Sequence, residues 1–457
     1  MMKKKFYLLA AILLMNVFQS CQDEVEEGYS VNPVKKESVE GLNLRALFSE
    51  HHVISVSEAS ETALKATEMF ADESTRANDI IPRTIESIGV YGRRNTPLRT
   101  ANASEDTLYY VFNFEDNRGF AIVAADDRIP TQILAYVDKG SLENDVDNPG
   151  LRYTLDLMQH YVESSIDHFE NKKDSFLAVA EKNSFVVDAK TAETRTIYTG
   201  TAYSILSEMT VGPLISVTWG QKYPYNMYVP KSCDYETCYR GKDPVGCVAT
   251  ATAQLMSYWK YPSSLNSYAM DWTKMCSTKV PTNSSKTNLA RLMREIGARI
   301  GMNYGCDGSG AKTTVAYDFL KTIGYKKFFM KDFDMEFAIG ALQLDMPLLV
   351  RGYRGRSIDQ LGDLYYYGGH CWIVDGYKRI ELEEVNYRVD TSTGSVQCTT
   401  SEFFEFYFHN NWGWEGEGNG YFASGCFNLN DAFSYDNGEN KSTGNYRYKN
   451  EMFCVYR

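Results

Sequence analysis

The sequence predicts an α+β protein in two parts, with an α+β unit first and then a helix packed on an antiparallel sheet. Three observations predict this. The β-rich runs Thr107–Phe114 and 119–124 flank the polar turn Asp116-Asn117-Arg118, which makes a hairpin. Leu151, Leu155, Met158, Tyr161, Val162, Ile166 and Phe169 recur at helical spacing, so an amphipathic helix covers roughly 150–172. Val248, Ala251, Thr252, Leu255, Met256 and Trp259 trace a mostly apolar stripe that Pro262 ends, and short apolar runs bounded by glycine and asparagine follow it.

With 457 residues the chain exceeds one ordinary core, so two domains are expected. Lys3-Lys4-Lys5 and the apolar run from Phe6 to Phe18 form a targeting segment. That run is too short to span a bilayer, which needs about 20 residues. Gln19-Ser20-Cys21 resembles the lipobox of bacterial lipoproteins, and the acidic Asp23-Glu24-Val25-Glu26-Glu27 resembles a signal for the outer face. Residues 1–21 are therefore expected to be a lipoprotein signal peptide, with the protein held at the outer membrane by a lipid on Cys21. A plain secretory signal with an incidental cysteine is the alternative.

Residues 22 to about 85 are polar apart from a helical run around Glu58 to Phe70. The pattern lapses again over 188–195, where Lys190 and Arg195 stand in a linker open to proteolytic nicking. The boundary falls there, giving a first unit over 22–195 and a second over 196–457. The second is expected to open with the helix at Cys247 rather than with a sheet. Strands then follow at Pro347-Leu348-Leu349-Val350, Cys371-Trp372-Ile373-Val374, 403–408 and Gly420-Tyr421-Phe422.

A net charge of −12, spread along the chain, argues against a nucleic-acid partner. Beyond Cys21 there is no cysteine until Cys233, and nine follow. An exported protein can oxidise them, but an odd number leaves at least one thiol free. Cys233 and Cys238 are spaced to bracket a small loop. No paired Cys-x-x-Cys motifs appear, so zinc is disfavoured and no metal or organic cofactor is implied.

Cys247 follows Gly246 at the mouth of its helix, where unsatisfied N–H groups favour a thiolate and lower the pKa below the usual value of about 8.5. A buried structural cysteine is the bland alternative. The second unit holds two histidines, His370 and His409. His370, between Gly368-Gly369 and a strand, is the better base, while His409 suits a packed, hydrogen-bonded ring. Gln221, between Trp219 and Pro224, is the natural oxyanion donor beside the Cys247 N–H; losing such a donor lowers the rate about 100- to 1000-fold. Asn410-Asn411-Trp412-Gly413-Trp414 supplies an amide to orient the imidazole and an indole to shield it.

These residues, in this order, resemble the streptopain family of secreted bacterial cysteine peptidases on a papain-like fold. The resemblance rests on Gly246-Cys247-Val248-Ala249-Thr250-Ala251 with Gln254, on Gly369-His370 followed by Asp375-Gly376-Tyr377, and on 408–414. Met302-Asn303-Tyr304-Gly305 and Gly308-Ser309-Gly310-Ala311 add to it. The first half resembles the family's inhibitory prodomain through Tyr110-Val111-Phe112-Asn113 and the run from Gly119 to Asp127. The resemblance implies a zymogen with protein or peptide substrates, a Cys247–His370 dyad and Gln221 in the oxyanion hole. It leaves the third element open, because the papain spacing falls on Asn410 whereas the streptopain spacing falls on Asn411, with Trp412 sharing the role. Two departures stand out: a long Arg- and Tyr-rich stretch over 351–367 that would border the cleft, and Cys371 beside the base. A non-catalytic surface binding protein and a thiol acyl-transferase or amidase are the competing functions.

Overall fold

The computed structural model describes residues 44–71, 82–92, 96–97, 106–142, 146–182, 197–231, 242–277, 283–353, 355–358, 364–390, 395–427 and 448–457. The targeting segment, Cys21, the 188–195 linker, Cys233 and Cys238 lie outside them.

After a short helical turn at Leu44–Phe48 comes helix α1 (Val56–Met69), with Ser55 as N-cap accepting the Glu58 N–H at 3.2 Å. Strands β1 (Ile85–Gly92), β2 (Thr107–Phe114), β3 (Phe120–Ala124) and β4 (Ile133–Val137) then form an antiparallel meander. The β2–β3 turn lies where the sequence puts it, and Gly119 is obligatory there. Its φ is +90°, and a Cβ would stand 1.8 Å from the Val137 carbonyl oxygen. Helix α2 (Pro149–Lys182) runs ten residues past its expected end, because Phe176 and Ala180 continue the buried stripe. Asn148 caps it by accepting the Gly150 and Leu151 N–H groups at 3.0 and 3.2 Å. Pro149, which has no N–H to satisfy, fits the first turn.

Strand β5 (Ile197–Val211) corrects one expectation: the second half begins on a sheet, not on a helix. Its side chains over 203–211 are exposed or half-buried without alternation, so its register comes from pairing along β8 rather than from a hydrophobic face. Helices α3 (Cys247–Trp259), α4 (Asn283–Arg299) and α5 (Thr313–Thr322) follow. Strand β6 (Lys326–Asp332), α6 (Met335–Gln343), β7 (Leu348–Tyr353), β8 (His370–Asp390), β9 (Ser395–Asn411), β10 (Gly420–Ala423) and β11 (Tyr448–Tyr456) complete the fold. The sequence predicts one helix here. The second, α4, buries Leu289, Leu292, Met293 and Ile296 at helical spacing, a signal available in the sequence.

One antiparallel sheet joins both halves, in the order β1-β2-β3-β4-β10-β9-β8-β7-β11-β6, with β5 also on β8. The seam is the pairing of β10 with β4. Side chains alternate across β8 and thereby separate two cores. Trp372 and Val374 pack with α1, α2 and α6, while Cys371 and Ile373 pack with α3, α4 and α5. Helix α3 is buried nearly all round, so each large side chain such as Leu255 contributes about 1.5–3 kcal/mol.

Candidate active site

Gly246 sets the turn into Cys247. Its φ of +93° is a backbone state that favours glycine, and a Cβ would meet Met302 Sδ and the Ser309 carbonyl oxygen at 2.8 Å. The segment 302–311 is therefore the buttress beneath this turn. Asn303 and Gly310 exchange backbone bonds, and Ser309 Oγ donates to the Pro244 carbonyl at 2.7 Å.

Cys247 is a free, partly buried thiol at the start of α3. Burial raises its pKa above the usual value, against the N–H groups of Cys371, Val248 and Cys247 itself, which lower it. The expected depression is thus reversed in this conformation: desolvation outweighs the helix terminus. The Cys371 thiol is buried close by and is also raised well above the ordinary range by burial.

His370 opens β8 opposite Gly352 of β7. Its imidazole lies on the α2 face of the strand. It stacks on Trp372 at 6.1 Å, and its Nε2–H donates to the Trp412 carbonyl at 3.3 Å. The first turn of α2 closes over it: a Cβ on Gly150 would stand 2.9 Å from His370 Nε2 and 2.5 Å from Trp412 Cε3. Only glycine fits. Enclosed in this way, His370 is pushed down to about 4, with the Trp412 carbonyl opposing. The thiol packs with the α3-side core and the imidazole against Gly150, Trp372 and Trp412 on the other, and no hydrogen bond joins the two among the described residues.

The asparagines divide between the same two faces. Asn410 pairs with Val374; its Oδ1 accepts the Trp372 indole N–H at 2.8 Å and its Nδ2 donates to the Phe408 carbonyl. Asn411 pairs with Ile373 on the α3 face, donates to the Val217 carbonyl at 2.8 Å and accepts the Gly413 N–H. Each is bonded elsewhere than to His370. The Trp412 indole is buried on the α2 side and donates to the Gly418 carbonyl. His409 is tied to the buried Asp375 at 2.6 Å, and Asp375 also accepts the Ile215 N–H, which makes His409 a packed, bonded ring.

Gln221 is buried in a loop whose carbonyl accepts the Val245 N–H at 3.0 Å, two residues before Cys247. It lines a cavity of about 270 Å³ with Lys222, Trp414, Glu415 and Glu417. A second cavity of about 420 Å³ lies between the first-half residues Lys139, Ser141 and Leu151 and the Glu415–Glu417 loop. Within the 351–367 stretch, Gly355–Ile358 and Leu364–Tyr367 pair as a small hairpin between β7 and β8. Cys276, Cys371, Cys426 and Cys454 are free, and Cys306 is disulfide-bonded.

Sequence reasoning missed Asn148 and Gly150. Asn-Pro ahead of an apolar periodic run is a helix-start signal, but nothing local ties it to a histidine more than two hundred positions away.

A free thiol at a helix mouth, a histidine on the adjacent strand and an amide loop between define a cysteine peptidase, here covered by a preceding α+β unit. Residues 219–422 match the model of the Peptidase C10 family, and residues 52–162 match that of the Spi protease inhibitor. Streptopain of Streptococcus pyogenes is 26% identical over 356 residues, covering 70% of this chain and 74% of that protein. The thiol protease/hemagglutinin PrtT of Porphyromonas gingivalis is 25% identical over 352 residues, covering 71% of this chain and 34% of that one. A solved fragment of Prevotella intermedia prointerpain A aligns with a TM-score of 0.48 at 20% identity, covering 80% of this chain and 98% of the fragment. The chain is a cysteine-type endopeptidase with an inhibitor-like prodomain, and its peptidase region is similar to that of streptopain.

Proposed function

We propose that the chain is a latent precursor whose Cys247–His370 dyad assembles only when the prodomain withdraws. The observation that carries this is the fit of Gly150 against His370 and Trp412, which holds the imidazole on the face of β8 away from the thiol. With α2 gone, the ring is free to turn toward Cys247. Its pKa then rises toward the ordinary value as water returns, and proton transfer from the thiol gives a thiolate–imidazolium pair.

The thiolate attacks a peptide carbonyl carbon, and the carbonyl oxygen takes the negative charge. The Gln221 amide and the Cys247 N–H stabilise that oxygen. Collapse expels the amine, protonated by His370, and leaves a thioester on Cys247. His370 then takes a proton from water, the hydroxide adds to the thioester, and the carboxylic product departs as the thiol reforms. Asn411 lies on the nucleophile's face of the sheet, which favours it over Asn410 as the group that orients the turned ring. Asn410 acts on the precursor instead, by fixing the Trp372 indole on which His370 rests.

Substrates are proteins or peptides, and the prodomain is the enzyme's own inhibitor. Cleavage within 188–195 would break the covalent link between the two, and a lipid on Cys21 would hold the prodomain at the outer membrane when the peptidase later leaves it. The test is expression of the full chain beside Cys247→Ala. N-terminal sequencing should find a new end near 188–195 in wild type alone, with casein hydrolysis that an alkylating agent abolishes. Equal processing in both assigns activation to another protease, and intact casein removes the enzymatic reading.

A further inference from the structure

Gln254 takes part in no step described so far. It sits two turns beyond Cys247 on α3 and is fully buried. Its Oε1 accepts the Trp219 N–H at 3.0 Å, while its Nε2 is buried with no hydrogen-bond partner among the described residues. The Trp219-Gly220-Gln221 turn is thus held at two points around the nucleophile: Val245 N–H on the Gln221 carbonyl, and Trp219 N–H on Gln254. On the far side stands Gly413, where a Cβ would lie 3.8 Å from Gln254 Nε2.

A buried amide with an unsatisfied N–H weakens a fold, and a native protein that keeps one invites an explanation. For packing alone, an apolar side chain of the same length would serve better here. We infer that Gln254 is a positioning residue: its oxygen fixes the Trp219–Gln221 loop in register with α3, so that the Gln221 amide and the Cys247 N–H converge on one oxygen. The inference rests on the reading of Gln221 as oxyanion donor. It extends that reading to a residue that touches neither substrate nor nucleophile.

The test uses the full chain, matured under the conditions that activate wild type, with the variants Q254M, Q254E and Q221A. Four readouts apply. They are kcat and KM on a peptide amide, affinity for a peptide aldehyde, the rate of inactivation by iodoacetamide, and the Tm of the precursor in a Cys247→Ala background. The aldehyde adds the thiol and places its oxygen in the oxyanion hole, whereas iodoacetamide alkylates sulfur with loss of iodide and forms no oxyanion. Misplacing a donor by about 1 Å lowers rates by up to about 100-fold. Q254M should therefore lower kcat and aldehyde affinity by about 10- to 100-fold, with KM and the alkylation rate unchanged, and with Tm lowered modestly by the Trp219 N–H it leaves unpaired. Q254E, held neutral by full burial, keeps a carbonyl oxygen as acceptor and should stay within about threefold of wild type.

Wild-type aldehyde affinity in Q254M overturns the inference. So does a fall of kcat, alkylation rate and Tm together, which is what a merely structural role gives. If Q254M does not fold, a loss above about tenfold in Q254E overturns it as well. Q221A distinguishes the two readings: if it leaves aldehyde affinity unchanged, the oxyanion assignment fails and this inference with it. If it weakens the aldehyde while Q254M does not, only the positioning role falls.

Discussion

At the scale of single residues, the site is governed by what encloses His370. Its pKa near 4 against an ordinary 6.5 means that the fold encloses the neutral ring. A lowered histidine pKa gives stability that is complete above about 6.5 and lost as pH falls toward about 4, amounting to about 3 kcal/mol at most. Precursor carrying Cys247→Ala should therefore melt at lower temperature at pH 4.5 than at pH 7, and His370→Gln should flatten that dependence. An unchanged slope in His370→Gln would assign the effect to other groups. Gly150 makes a second prediction. An added methyl meets two aromatic rings that cannot yield, at a cost of about 1–3 kcal/mol. Gly150→Ala should process itself faster than wild type, scored as the fraction of precursor remaining with time.

At the scale of elements, β8 divides the two cores that meet at the candidate site. The alternation of its side chains puts Cys371 and Ile373 against the nucleophile helix, and His370 and Trp372 against the prodomain helix. The strand and the order of its residues were legible in the sequence. The face was not, because alternation gives relative orientation only, and two glycines ahead of His370 leave its first residue loosely specified. Helix α3 was legible for the opposite reason: its stripe is continuous and its start and stop are marked. Truncating that stripe with Leu255→Ala should destabilise the protein by about 2–5 kcal/mol in thermal or urea unfolding. The seam between halves is the β4–β10 pairing, where a Cβ on Gly420 would lie 2.4 Å from the Tyr136 carbonyl oxygen. Gly420→Val should weaken prodomain retention, seen as earlier casein hydrolysis at equal protein concentration.

At the scale of the whole molecule, prodomain and peptidase share one continuous sheet and one of its two cores. A cut in the linker removes one covalent bond and none of that buried surface. Limited proteolysis within 188–195 should therefore yield two fragments that co-elute in gel filtration and separate only in denaturant. Fragments that part at once in plain buffer would contradict a prodomain held by the shared sheet. With co-eluting fragments, release follows from digestion of the prodomain rather than from the first cut.

By itself the sequence determined the chemistry on offer. Gly246-Cys247, Gly369-His370, Gln221 and the paired asparagines are local patterns, as are the caps and periodicities that start and end α1, α2 and α3. Tertiary structure alone decided how those groups stand to one another. It put the imidazole across the strand from the thiol, Gly150 over the ring, Asn411 rather than Asn410 on the nucleophile's side, and Gln254 beneath the donor loop. The reason is physical. Periodicity and capping act over a few residues, whereas close approach and desolvation depend on groups hundreds of positions apart that meet only once the sheet is complete.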